Sequence, residues 1–360
     1  MILNTLTIFT PFLNNLLLFL FVPIFLWGQD TVKMKKVKIL PVPAFGHSPE
    51  TRTYIGAVSL FTFDFYQDST TRHSNAKIEF NYTWNRQIII ECGWNFFSKD
   101  ENWFTKGQIH SSKFPDYYYG IGSNTPDSNK FAYQSNRFIF DISTFKKIKP
   151  YLFTGVTLKY IQYWNVSPIN ATSLNYLELT NNVTLGLGYS LLKDNRNSIL
   201  SPTSGTYIYV NSTYNFSKSN YWKFLLDLRY YKTWNEKFTI AGRFVNDIST
   251  NTPPFYDYAF LGGDKFVRGY YYGRYRDKNL SCLQLEFRLP IVWRIGMATF
   301  GGISNVYPDA SNIKMTNTKY NTGLGIRFMV DKKDKTNLRL DYAIGNNKNN
   351  GFYVSFGESF

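Results

Sequence analysis

Histidine and cysteine are nearly missing from this chain, and with them go most routes to side-chain catalysis. The three histidines, His47, His73 and His110, fall on separate segments and form no H-E-x-x-H arrangement. The two cysteines, Cys92 and Cys282, sit in separate strand-like segments without metal-ligand spacing. They are read as free thiols, although an oxidising compartment would permit a bridge. No Gly-x-Ser-x-Gly elbow, phosphate-binding loop or zinc cysteine set is present. The expectation is a protein with no catalytic residues, no cofactor and no metal. Carboxylates such as Glu79, Glu91 and Asp141 are assigned to ion pairs with neighbouring Lys and Arg rather than to a hydrolase.

Long apolar runs are equally scarce. One segment, Leu16 to Trp27, is nearly continuous and ends at Gly28, Gln29 and Asp30. It falls short of the roughly 20 residues that a helix needs to cross lipid. A secretory signal peptide over 1–28 fits it better, cleaved after Gly28 and followed by a short periplasmic lead-in over 29–35. Two irregularities leave an N-terminal membrane anchor as the competing reading: no Lys or Arg precedes the run, and Leu26 is large for its position. No Cys follows, which excludes a lipoprotein anchor.

Acid is in deficit. Against 40 Lys and Arg stand 25 Asp and Glu, for a net charge of +15. Nucleic-acid binding would need that charge gathered on a recognisable module, whereas here it is spread over turns and alternate strand positions. Solvated loops, a polar lumen, and contact with the anionic headgroups of outer-membrane lipids and lipopolysaccharide are the expected uses.

What is abundant is aromatic. Tyr (28) and Phe (32) dominate, yet mean hydropathy is only -0.28. Period-two alternation reconciles the two, and it recurs from residue 36 to the end without a long helical interruption. Trp222, Phe224, Leu226, Leu228 and Tyr230 share one face, with Lys223, Asp227 and Arg229 on the other. Ile78, Phe80, Tyr82 and Trp84 oppose Lys77, Glu79 and Asn81 in the same way. Leu283, Leu285, Phe287 and Leu289 oppose Gln284, Glu286 and Arg288. In a soluble sandwich the apolar face would be core; in a transmembrane barrel it meets lipid and the polar face rings the lumen.

About sixteen strands are predicted, over 36–46, 51–65, 73–84, 86–98, 102–112, 131–145, 149–164, 175–192, 205–217, 220–234, 236–249, 280–290, 294–304, 319–330, 335–346 and 350–360. The long connections near 113–130, 165–174, 250–279 and 305–318 all fall on one side, and tight turns fall on the other. Long loops outside and short turns inside are the pattern of an outer-membrane barrel. The fold expected over 36–360 is therefore all-β: a transmembrane antiparallel β-barrel of about sixteen strands.

Three stretches carry a resemblance. Leu261-Gly262-Gly263 with Val267-Arg268-Gly269-Tyr270 lies between the eleventh and twelfth predicted strands. Asp194 and Arg196, with Pro202-Thr203-Ser204-Gly205, precede the ninth, and the chain closes on Arg339-Leu340-Asp341-Tyr342, Gly345 and a last strand ending at Phe360. In order and spacing these resemble the BamA/TamA-type barrels of the bacterial surface antigen family. Pro43 to Gly56 is a weaker echo of that family's opening strands. The resemblance implies that the loop carrying Arg268 folds inward as a plug.

Family members offer the loop arginine an Asp in a Phe-x-Asp stretch; here that stretch reads Phe300-Gly301-Gly302. Arg268 must use something else, and Glu286 and then Asp341 are the candidates of lumen-facing parity. Asn197 likewise stands where the family's turn often has Asp. Pro41 and Pro43 in the first strand supply no ladder N–H. A weak seam with the last strand, near Phe360, is expected there.

The resemblance further implies help with inserting or moving proteins or lipids at the outer membrane. Partners would be client outer-membrane proteins and, because no periplasmic POTRA domain precedes the first strand, a separate periplasmic protein. A passive pore and a structural anchor for a surface or periplasmic complex are the other tasks that such a barrel could perform.

Overall fold

The computed structural model describes residues 36–68, 70–169, 178–235, 238–331 and 336–360. The expected signal peptide and lead-in lie outside the described residues. The strands are β1 Lys36–Ser48, β2 Arg52–Asp64, β3 Ser74–Thr83, β4 Ile88–Phe97, β5 Trp103–Tyr118, β6 Phe131–Lys149, β7 Leu152–Pro168, β8 Asn182–Asp194, β9 Gly205–Phe216, β10 Tyr221–Trp234, β11 Phe238–Ser249, β12 Ala259–Leu261, β13 Tyr275–Asp277, β14 Asn279–Val292, β15 Ile295–Tyr307, β16 Lys319–Asp331, β17 Thr336–Gly345 and β18 Asn350–Phe356. Sixteen form one antiparallel sheet in sequence order, while β12 and β13 pair with each other inside the long loop after β11.

Solvation is inverted relative to a soluble protein. Trp222, Phe224, Leu185, Leu187, Leu283 and Leu285 are 40–50 % exposed on the outer face, while Glu286 and Asp341 are fully buried. Apolar surface on this scale is stable only against lipid. A two-layer sandwich would have the opposite distribution, so the alternation belongs to a barrel wall.

Several expected boundaries shift, and residues 146–148 and 165–168, read as connections, continue β6 and β7. Residues 113–118, read as a connection, continue β5 and pair with residues 131–136 of β6. This extension buries Tyr118 and Tyr133 against Phe255 of the loop, which outweighs the missing N–H of Pro115. The eighth strand starts at Asn182 rather than near 175. The long loop contains its own short hairpin, β12–β13. Most consequentially, the last strand stops at Phe356. Gly357 adopts φ +78 and residues 358–360 turn into the lumen, where Phe360 packs on Tyr231 and Ala241 of β10 and β11. Phe360 is therefore not a seam residue.

The wall is not laced shut. The sheet runs from β1 to β18, and among the described residues no ladder joins these two strands. Across the gap, Tyr54 donates its hydroxyl to the Val354 carbonyl at 3.4 Å, and the His47 and Phe352 rings lie 6.3 Å apart. Pro41 and Pro43 both lie in β1, paired with Ser59 and Ala57 of β2. The β1–β2 hairpin is also apolar on its inner face, which presents Leu40, Val42, Ala44, Val58 and Leu60. Ile39, Phe45 and Ile55 cover its outer face.

Candidate functional site

The interior is occupied by the loop between β11 and β14, and glycines make its path possible. Gly262, Gly263 and Gly269 hold φ of +112, +83 and +103, the region that Cβ-bearing residues avoid. A Cβ on Gly262 would overlap the Tyr271 carbonyl. Val267 and Tyr270 have no exposed surface and pack with Ala259, Leu261 and Tyr275 against Val245, Leu280, Cys282 and Val306 of the wall.

Arg268 reaches the wall and is 1 % exposed. It donates to Glu286 at 2.5 Å and also to Asp341, so the two candidate partners share it. Its guanidinium carbon lies 3.4 Å from the centre of the Phe300 ring, a cation–π contact. The wall is shaped for this. Glu286 and Phe300 are cross-strand neighbours on β14 and β15. Gly323 of β16 leaves room for the Phe300 ring, and a Cβ at Gly325 would collide with the Asp341 carboxylate.

Further arginines complete the neutralisation: Arg288 donates to Glu286 at 2.7 Å, and Arg327 and Arg339 donate to Asp341 at 2.5 and 2.8 Å. Such a buried network is held by its completeness, since removing one charge strands the others.

Backbone groups of the same segment are tied down as well. Gly269 N–H donates to the Tyr353 hydroxyl of β18 at 2.9 Å, and Asn321 donates to the Arg268 carbonyl at 2.8 Å. The Tyr270 hydroxyl donates to the Tyr320 carbonyl at 2.7 Å and accepts from Asn346 N–H at 2.7 Å. Three anchors were not visible in the sequence. Asp264 at the loop tip accepts from Arg339 at 2.5 Å. Burial would raise its carboxyl, but Arg339 and Arg268 hold it below the usual carboxylate range. Asp257 is clasped by Lys159 at 2.7 Å, by Lys223 at 3.2 Å and by the Tyr221 hydroxyl. Tyr272 N–H donates to Glu50 in the β1–β2 turn at 2.6 Å. Burial pushes the Glu50 carboxyl up to about 7, against hydrogen bonds that lower it. The loop thus grips both sides of the seam, β18 through Tyr353 and the first hairpin through Glu50.

At the opposite end, the β8–β9 turn closes part of the mouth. Arg196 forms a bidentate pair with Asp194 at 2.8 and 3.0 Å, and Arg72 joins Asp194 at 3.0 Å and Glu101 at 2.9 Å. Gly205 takes φ +104 in space where a Cβ would overlap the Asn195 carbonyl. Pro202 is buried, and its carbonyl accepts from Arg288 at 3.0 Å. Asn197 substitutes for an acid by accepting from the N–H groups of Thr203 and Ser204 at 3.0 and 3.2 Å. The inward tail meets the loop directly, with Ser359 donating its hydroxyl to the Asp264 carbonyl at 3.0 Å. Plug and tail therefore meet inside the barrel.

A family model described as the Omp85 superfamily domain matches residues 58–360. Among curated proteins, none matches the sequence. Among solved structures, BamA from Haemophilus ducreyi lacking POTRA domains 1–3 is similar at 11% identity and a TM-score of 0.58, over 89% of this chain and 70% of that one. CdiB from Acinetobacter baumannii is similar at 12% identity and a TM-score of 0.56, over 89% of this chain and 65% of that one. Those likenesses concern the fold; the family match covers most of the wall together with the plug loop and the β8–β9 turn. The chain belongs to the Omp85 superfamily and is an integral β-barrel of the outer membrane.

Proposed function

We propose that this barrel assists the insertion or translocation of proteins at the outer membrane, with opening of the β1–β18 seam as its working motion. The observation that carries this reading is the unlaced seam, bridged from inside by a loop that holds Tyr353 on one side and Glu50 on the other. Sheet edges inside a membrane leave backbone groups unpaired, a costly arrangement in lipid. A client strand would satisfy such an edge by adding to it. Clients in this reading are extended segments of outer-membrane or secreted proteins, delivered by a separate periplasmic partner.

A passive pore fits less well, because loop tip and tail meet in the lumen. The test is a locked seam. His47→Cys with Phe352→Cys, in a background of Cys92→Ser and Cys282→Ala, allows oxidation across rings now 6.3 Å apart. Depletion followed by a census of outer-membrane proteins identifies the clients. Their recovery with the reduced pair but not with the oxidised pair supports the proposal. Full recovery with the oxidised pair, or an unchanged census on depletion, overturns it.

A further inference from the structure

The two edges of the seam are unequal in length. His47 of β1 faces Phe352 of β18, and Tyr54, packed over Gly46, reaches the Val354 carbonyl. Counting along the antiparallel edges from there sets Phe356, where β18 ends, level with Pro43. β1 continues below that level from Val42 to Lys36, toward the short-turn end that faces the periplasm. Gly357, with φ +78, turns the chain inward instead of prolonging the opposite edge. Among the described residues no strand lies beside this part of β1 except β2, so the wall has a notch at the foot of the seam.

Two surfaces meet at the notch. On the outer face of β1, Val37 and Ile39 are 39 % and 57 % exposed, so lipid-facing wall extends down to this height. On the inner face, Lys38 and Leu40 line a cavity of about 340 Å³. Its other walls include Leu60 of β2, Ile199 and Leu200 of the β8–β9 turn, and Phe356. Leu40 and Phe356 belong to opposite edges of the seam, so the cavity lies directly behind the notch.

The chemistry of the lining selects the occupant. Its polar groups are largely engaged already: Arg72 by Glu101 and Asp194, Lys77 by Glu79, Asn75 by Asn95, and Asn197 by Thr203 and Ser204. Leucine, isoleucine and phenylalanine surfaces remain, and water against them is unfavourable. Among the described residues no carboxylate lines the cavity, and Lys38 stays exposed at its rim. A peptide segment entering here would need its amides satisfied. A hydrocarbon chain carries none, and it passes from one apolar environment into another.

We infer that this cavity holds one acyl chain of a phospholipid from the periplasmic leaflet, entered through the notch, with the lipid phosphate at the rim beside Lys38. The long lysine side chain suits that place, its stem on apolar surface and its ammonium among headgroups. The notch lies below the level where the two edges meet, so occupancy does not depend on opening of the seam.

The test uses the whole purified chain in vesicles of phosphatidylcholine, a fraction of which carries a diazirine near the end of one acyl chain. After photolysis, adducts are mapped by peptide mass analysis. Labelling is expected on Leu60 and Ile199, in addition to outward residues such as Leu185 and Leu285. In Leu60→Trp, whose indole fills the cavity, the Ile199 adduct should be lost while the outer face still labels. Leu200→Glu, at a partly exposed turn position, is a second variant; its carboxylate should abolish the Leu60 adduct. Heat-dependent gel mobility checks that each barrel is folded. Adducts confined to outward residues of the wild type overturn the assignment, and this is also the result if another part of the chain fills the cavity. Labelling spread equally to lumen residues such as Thr157 and Ser190 overturns it as well, as does cavity labelling unchanged in both folded variants.

Discussion

The guanidinium carbon of Arg268 lies 3.4 Å from the centre of the Phe300 ring, so an aromatic ring meets the cation on the strand where the family pattern has a carboxylate two residues further on. The ring stabilises the cation from one side while Glu286 and Asp341 bind its edge. The acid missing from β15 is thus replaced by acids on β14 and β17, the near neighbours of β15 and β16.

Arg268→Ala is expected to destabilise the barrel by roughly 3–5 kcal/mol, the usual cost of stranding buried charges. Arg268→Lys should recover only part of this, because an ammonium lacks the planar fork that serves two carboxylates. Urea unfolding in phospholipid vesicles measures both. A loss below about 1 kcal/mol for Arg268→Ala would identify the contact as a solvated surface pair instead.

Glu50 should make the loop's grip on the first hairpin sensitive to pH. Its carboxyl is raised to about 7, so the folded state favours the neutral acid. The stabilisation is complete below the ordinary carboxylate pKa and is lost as pH rises through about 7. Between pH 6 and 8 the wild type should lose thermal stability relative to Glu50→Gln, which cannot ionise. Parallel curves for the two proteins would contradict this.

Gly205→Ala should loosen the β8–β9 turn. The φ of +104 is strained for alanine and the added methyl meets the Asn195 carbonyl, together worth about 1–3 kcal/mol. The signature is local: faster proteolysis between residues 195 and 204, with the plug loop unaffected.

Amides of β1 that point toward β18 should exchange hydrogen faster than those pointing toward β2, which are laced from Lys36 to Ser48. Exchange measured in lipid on every second β1 residue tests this. Equal protection on both edges would mean that a ladder closes the seam in the membrane.

Much of this architecture is legible in the sequence because period-two alternation is a local signal. Parity alone assigns Glu286 and Asp341 to the inner face. Alternation gives a face but not a height, however, and so cannot show that Arg268 reaches both acids at once. Contacts such as Asp264 with Arg339 join residues 75 positions apart through barrel stagger, which no local pattern encodes. Phe360 misleads for a related reason: its parity continues that of β18, and only Gly357 with φ +78 marks the inward turn.

The first hairpin is greasy on both sides, with Leu40, Val42, Ala44, Val58 and Leu60 inward and Ile39, Phe45 and Ile55 outward. Most other strands carry ions within the wall, such as Lys77 and Glu79 of β3 or Asp227 and Arg229 of β10, and would drag them into hydrocarbon if displaced outward. Along the stretch from Leu40 to Leu60 this one carries only His47, Glu50 and Arg52, at its aqueous tip. Under the proposed opening of the seam, its displacement is therefore opposed by hydrogen bonds and loop contacts rather than by the dielectric.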